Sequence, residues 1–456
     1  MQTIEQLRSG ELDGVRHLRL SCGLTEFPRE IMALRDTLEV LDLSGNALSE
    51  LPDDLAGLSK LRIIFCSENL FTELPEVLGS CPELTMVGFK ANQIRRVSAK
   101  ALPARLRWLV LTDNEIEELP REIGACTQLQ KLMLAGNRLQ ALPESLVNCE
   151  RLELLRLAAN RLNELPEWLL TLPRLSWLAC SGNPFGADIE ADALSSAVIA
   201  DVPWSALKIE HLLGQGASGI IHRARMNSGE DGVRAVAVKL FKGAMTSDGL
   251  PGSEMAASIG AGKHPNLIDV FGRVLGHPSG INGLVMQLVD PRFEILAGPP
   301  SLESCTRDVY PSSSAFDLPT VLQIADAMAS AARHLHDRGI MHGDLYGHNI
   351  LHDGQGQTLL GDFGAASFYD VGNPAMANGL QRLEVRAFGC LLEELVDWCA
   401  ASEDDLAALK RLGDLVSACL SEAPKLRPLF HEISALLKEA RAVTRTPAVA
   451  SRGFHS

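Results

Sequence analysis

The sequence predicts a multidomain chain of two unlike parts: an α/β solenoid of stacked repeats, followed by an α+β domain. Three observations carry that reading. Seven asparagines (Asn46, Asn69, Asn92, Asn114, Asn137, Asn160 and Asn183) recur every 22 or 23 residues, a period that marks a repeat architecture. From Leu207 the repeat gives way to strand, glycine loop and strand. Two polar blocks then follow, His342-Gly343-Asp344-Leu345-Tyr346-Gly347-His348-Asn349 and Gly361-Asp362-Phe363-Gly364. At 456 residues the chain is also too long for one ordinary core.

Around each asparagine lies the template L-x-x-L-x-L-x-x-N-x-L-x-x-L-P. It reads clearly through Leu129, Leu132, Leu134, Asn137, Leu139, Leu142 and Pro143, and returns through Leu152, Leu155, Leu157, Asn160, Leu162, Leu165 and Pro166. A copy one residue short runs from Leu18, Leu20 and Cys22 to Phe27 and Pro28, which brings the number to eight. A strand with alternate leucines cannot bury that face alone, so the copies must stack. The asparagine amide can satisfy backbone groups where each coil turns. Cys66, Cys81, Cys126, Cys149 and Cys180 fall in phase with the leucines, as small core thiols would. The first half resembles the leucine-rich repeat family, which implies a horseshoe with its short strands on the concave face.

The variable strand positions on that face include Ile63, Phe65, Trp108, Val110, Met133, Leu154 and Trp177. Scattered surface hydrophobes need no explanation. Several strands contributing apolar groups at matching positions instead suggest a contact surface, for a protein partner or for the second half of the chain. The template stops after Asn183, and residues 186–206 read as a short capping helix and a linker. The boundaries expected are repeats over 1–190, cap and linker over 191–206, the second domain over 207–440 and a flexible tail over 441–456.

Residues 207–213 lead into Gly214-Gln215-Gly216-Ala217-Ser218-Gly219, with Ile221 just beyond. A lone G-x-G-x-x-G is a weak signal, and a dinucleotide fold would need a helix straight after it. Here a second strand follows, then a turn containing Gly229 and Gly232, then a third strand ending Val236-Ala237-Val238-Lys239. Glycines between two strands suit a flap whose backbone amides close over phosphates. Glu254, fifteen residues past Lys239, could hold that lysine in place. Asp344 and Asn349 are five residues apart and Asp362 lies eighteen beyond Asp344, a set able to orient a hydroxyl and to ligate Mg2+.

With Pro424, Arg427 and Pro428 near its end, this half resembles the eukaryotic-type protein kinase family, a bilobal fold, over about residues 207–440. The resemblance implies ATP and Mg2+ as cofactors. Leu213 and Ala237 would contact adenine, Met286 would back the nucleotide pocket, and backbone from Gln287 would bind the adenine edge. Gly214, Gly216, Gly219 and Ile221 would cover the phosphates, and Lys239 with Glu254 would clamp them. Asp344 would be the catalytic carboxylate, with Asn349 and Asp362 as metal ligands and His342 packed behind Asp362.

The sequence departs from the family at several points. Gly343 replaces the usual Arg before the catalytic Asp, and Tyr346 the Lys common two residues after it in serine/threonine kinases. Glu384 stands where an Asp usually opens the central helix, and no A-P-E motif precedes it, so Arg427 lacks its usual glutamate. Residues 290–319, rich in Pro and Ser, form an insertion. His334, His336, His342, His348 and His352 lie close in sequence but are expected to be structural. The short activation segment offers only Ser367 and Tyr369 as hydroxyls.

Asp and Glu outnumber Lys and Arg, 57 to 42, for a net charge of −15 spread over both halves. Neither half has the basic excess of a nucleic-acid binder. Glu5, Arg8, Glu11 and Asp13 break any signal-peptide pattern, and no apolar run of about 18 residues could span a membrane. The ten cysteines lack metal-type spacing and form no expected disulfide framework. A cytoplasmic location is therefore expected. The leading expectation is an ATP- and Mg2+-dependent protein kinase, with serine and threonine as the expected acceptors, whose repeats recruit a partner or substrate. A small-molecule kinase of the aminoglycoside or choline kinase type and a catalytically silent scaffold are the alternatives.

Overall fold

A computed structural model describes residues 2–196, 199–216, 218–227, 232–243, 245–246 and 248–444. The turn expected at 228–231 and most of the expected tail, 445–456, lie outside the described residues.

The repeats build one parallel sheet in chain order, β1 (His17–Arg19), β2 (Val40–Asp42), β3 (Ile63–Phe65), β4 (Met86–Gly88), β5 (Trp108–Val110), β6 (Lys131–Met133), β7 (Leu154–Arg156) and β8 (Trp177–Ala179). Each strand is only three residues long, because one inward leucine is all that each coil contributes at its centre. The convex side is made of short 3-10 turns that start after the template proline, as at Pro143 and Pro166. The asparagines bond as their spacing suggests. Asn160 accepts from the Leu139 amide at 3.0 Å and donates to the Leu134 and Leu157 carbonyls at 2.9 and 3.0 Å, tying adjacent coils together. A short helix α1 (Ile4–Arg8) covers the first coil. Helix α2 (Ala187–Ser196) follows the last.

Residues beyond α2 do more than link. Strand β9 (Ala200–Pro203) joins the edge of the second domain's main sheet, parallel to β13 (Val270–Leu275). The other strands there are β10 (Leu207–Gln215), β11 (Gly219–Asn227), β12 (Val233–Phe241) and β14 (Gly283–Gln287), and the spatial order is β10-β11-β12-β14-β13-β9. Helix α3 (Pro251–Gly260) connects β12 to β13, and α4 (Leu318–His336) opens a helical lobe. That lobe continues with α5 (Pro374–Asp397), α6 (Leu406–Cys419) and α7 (Phe430–Thr444). Glu384 therefore lies inside α5 and does not open it. Two small ladders carry the polar blocks. One joins β15 (Glu294–Ile295), β17 (Ile350–His352) and β18 (Thr358–Leu360), and the other pairs β16 (Ile340–Met341) with β19 (Ser367–Phe368). No helix among the described residues is long and apolar enough to cross a membrane.

The two halves share their cores. Met341, Tyr369, Leu380 and Leu383 pack with the repeat leucines, while Leu154 and Trp177 pack with the helical lobe. Strand β5 alternates half-buried, buried, half-buried, whereas β7 and β8 are buried at every position. The concave stripe is thus not one free surface: Trp177, 1% exposed, and Leu154, 4% exposed, are covered within the chain, Ile63 is buried, and the half-buried Met133 packs against the helical-lobe core. Phe65, Trp108 and Val110 remain half-exposed.

Candidate active site

The glycine segment folds as a hairpin turn between β10 and β11, closed by a bond from the Gly216 amide to the Gly219 carbonyl at 3.0 Å. Gly219 has a steric reason to be glycine: a Cβ there would lie 2.8 Å from the Leu240 carbonyl and 3.2 Å from the Lys239 side chain. Register then sets the neighbours. Lys239 on β12 pairs across to Ile221, and Ala237 pairs with Met286 on β14. Ala237 is buried, Met286 and Gln287 are half-buried, and Leu213 on β10 stays exposed.

Lys239 Nζ forms an ion pair with Glu254 Oε1 from the first turn of α3. Burial raises the Glu254 pKa and the Lys239 charge opposes that rise. An isolated buried carboxylate would be costly, so the pair holds both groups in place. A cavity of about 110 Å3 lies beside them, lined by Gly216, Gly219, Ile221, Lys239, Asp248 and Asp362 among others. Asp362 occupies the left-handed region at φ +52°, a strained placement for a non-glycine residue, and its Oδ1 accepts from the Gly364 amide at 3.1 Å.

Residues 342–349 follow β16 as a loop pinned from below. Glu384, buried in α5, accepts from the Gly343 amide at 2.7 Å, the His342 amide at 3.2 Å and His336 Nε2 at 2.8 Å. Burial works against its charge, yet these donors hold its pKa below the ordinary value. Asn349 Nδ2 donates to Asp344 Oδ2 at 2.8 Å and to the Asp344 carbonyl at 2.9 Å, which leaves Asn349 Oδ1 to serve as a ligand. His342 Nε2 bonds the Gly361 carbonyl at 2.9 Å, beside Asp362. His334 and His348 are held by the Ala261 carbonyl and by Asp308.

Residues 207–386 match the family model described as protein tyrosine and serine/threonine kinase. Residues 37–58, 104–162 and 127–185 match leucine rich repeat models. The chain joins leucine-rich repeats to a protein kinase domain. Among its relatives, the calmodulin-binding receptor kinase CaMRLK of Arabidopsis thaliana is 23% identical over 318 residues, 58% of this chain and 46% of that one. The receptor protein-tyrosine kinase CEPR2 of Arabidopsis thaliana is 24% identical over 239 residues, 47% of this chain and 23% of that one. Activated Cdc42 kinase-like of Drosophila melanogaster is 24% identical over 199 residues, 44% and 14%. The chain thus spans less than half the length of each.

The kinase domain presents its catalytic-type loop to the repeats. Arg156, at the end of β7, forms an ion pair with Asp344 Oδ1, donates to Asp248 Oδ1 at 2.8 Å and donates to the Gly343 carbonyl at 3.1 Å. Burial disfavours its charge, but the two carboxylates hold its pKa above the ordinary arginine value. Trp177 stacks on Tyr346, with centroids 4.2 Å apart and planes 8° from parallel, and its indole donates to the Leu345 carbonyl at 3.2 Å. The Cys180 amide donates to Ser367 Oγ at 2.9 Å. The 290–319 insertion joins the same contact: Thr306 bonds Glu153, Arg307 pairs with Glu393 and Glu394, and Asp308 holds His348. Sequence reasoning missed Arg156, Asp248 and Thr306. The available signal for Arg156 was a basic residue at a strand position that is apolar in both neighbouring coils, Met133 and Ala179.

Proposed function

We propose that the chain is a protein kinase that transfers the γ-phosphate of ATP, with Mg2+, to protein hydroxyls, serine and threonine foremost. The observation that carries this is Lys239, paired with Glu254, lining one cavity with the glycine turn and Asp362, next to the bonded Asp344 and Asn349. The donor set fits the cofactors. A fixed cation and glycine amides suit phosphate oxygens, and a carboxylate with a free amide oxygen suits a hard divalent cation. Bound Mg2+ would neutralise the phosphates between Asn349 and Asp362. Leu213, Ala237, Met286 and Gln287 would seat the adenine. Lys239 grips phosphate oxygens, held in place by Glu254. Asp344 accepts the proton of the attacking hydroxyl, and Asn349 and Glu384 keep it oriented.

The half-exposed Phe65, Trp108 and Val110 are the part of the concave face open to a protein partner or substrate. A location in the cytoplasm belongs to the same reading, supported by ten cysteines that are all unpaired. A small hydroxyl acceptor is the second reading, because the covered loop leaves less room for a folded protein than for a small molecule. Incubation with labelled ATP and Mg2+, followed by phosphoamino-acid analysis of the acceptor, decides between them. Phosphoserine and phosphothreonine are expected. Phosphotyrosine would overturn the acceptor class, and label confined to small molecules would overturn the protein-kinase reading.

A further inference from the structure

We infer that the last two repeats are an intramolecular gate on the kinase domain: Arg156 and Trp177 hold the catalytic loop closed to protein acceptors, and activity requires that β7 and β8 withdraw. The inference rests on the kinase reading above and adds its control.

A general base must offer a carboxylate lone pair to the incoming hydroxyl at hydrogen-bond range. Asp344 offers little. Arg156 holds its Oδ1, Asn349 holds its Oδ2, and the side chain retains 16% of its exposure. Arg156 is itself nearly sealed, its side chain 3% exposed, so water does not screen the contact. A protein acceptor must also lie across residues 343–346, and there Trp177 covers Tyr346 and takes the Leu345 carbonyl. The activation segment is fastened to the same strands through Ser367 and the Cys180 amide.

The contact is built into both partners. Gly343 brings the loop against the Leu178 carbonyl, Arg427 donates to the Pro173 carbonyl at 2.6 Å, and Arg386 donates to Ser176 Oγ at 2.9 Å. Asp248, which lines the phosphate-side cavity, takes the remaining edge of Arg156, so one repeat side chain bridges the cavity wall and the catalytic loop. On the nucleotide side the repeats reach the cavity wall at Asp248, while Lys239 keeps its partner Glu254 within the domain. The gate therefore acts mainly on the acceptor.

The test uses the full chain and two variants. Arg156→Ala removes the ion pair. Ala179→Trp forces a bulky group onto the covered face beside Arg156 and leaves the Arg156 and Asp344 side chains themselves unaltered. Three quantities are read: initial phosphate transfer from labelled ATP·Mg2+ to dephosphorylated casein, affinity for ATP·Mg2+, and amide hydrogen exchange over 340–346 and 365–369. The gate predicts faster exchange in both variants, a transfer rate raised by about tenfold or more, and nucleotide affinity changed by less than about threefold. Faster exchange with transfer at or below the wild-type rate overturns it and makes Arg156 part of the active machinery instead. Rapid transfer by the wild type, unchanged in the variants, also overturns the gate and leaves the kinase reading intact. No transfer by any form, with the loop shown to be uncovered, overturns both.

Discussion

Gly343 lies so close to Leu178 that a Cβ at 343 would fall inside contact distance of the Leu178 carbonyl oxygen, and 2.6 Å from that of Ala365. Its φ of +74° also favours glycine. The residue that departs from the kinase pattern is thus the one on which the repeat backbone rests. Two other departures have the same origin. Tyr346 supplies the ring on which Trp177 stacks, and Arg427, with no glutamate partner among the described residues, gives its guanidinium to the Ser421, Arg382 and Pro173 carbonyls.

Gly343→Ala is expected to cost about 2–4 kcal/mol, from a strained φ and a clash with two backbone oxygens. Chemical denaturation measures it. An unchanged midpoint would mean that the repeats do not rest on this residue.

Tyr346→Phe has the opposite expectation. The hydroxyl is buried and finds no hydrogen-bond partner among the described residues, while the ring carries the stacking. Removing it should leave stability unchanged or raise it by up to about 1–2 kcal/mol. A clear loss in thermal unfolding would show that the hydroxyl is bonded after all.

Lys239→Met should lower phosphate transfer by at least about 100-fold, because a fixed cation on the phosphates is lost. It also leaves Glu254 buried without its partner, so ATP·Mg2+ titration must accompany the rate. Wild-type turnover in this variant would remove Lys239 from the site.

Glu394 gives a pH dependence. Burial pushes its carboxyl from the ordinary 4.5 up to about 7, against the pull of Arg307. Between those values the folded chain keeps a proton that the unfolded chain has lost, so this group lowers stability as pH rises from about 4.5 through 7. Denaturation midpoints from pH 5 to 8 should decline less in Glu394→Gln than in the wild type. Parallel curves would refute the assignment.

Much of this was legible in the sequence, for reasons that differ by region. The asparagine period dictated the solenoid because each Asn must close two neighbouring coils, as Asn160 does. The Lys239–Glu254 and Asp344–Asn349 contacts were legible from the order of those residues, since the chemistry expected of them restricts the residue types. The covered face was not. Trp177 and Leu154 read as outward residues because a repeat pattern says which side of a strand is concave, not what packs against it. Arg156 escaped for the same reason: its partners lie 92 and 188 residues away in the chain, beyond any local pattern. The 290–319 stretch read only as a Pro- and Ser-rich insertion, with no sign that Arg307 and Asp308 fasten it to α5 and the loop at 342–349.

The most direct test of the whole account is phosphate transfer by Asp344→Ala beside the wild type, each with its ATP·Mg2+ affinity measured. In the proposed mechanism Asp344 would meet the acceptor hydroxyl, while Lys239 and the glycine turn would hold the nucleotide. The account predicts that transfer from labelled ATP to a protein falls to background in Asp344→Ala and that nucleotide affinity stays within about threefold. Transfer at the wild-type rate by a folded Asp344→Ala protein would contradict it.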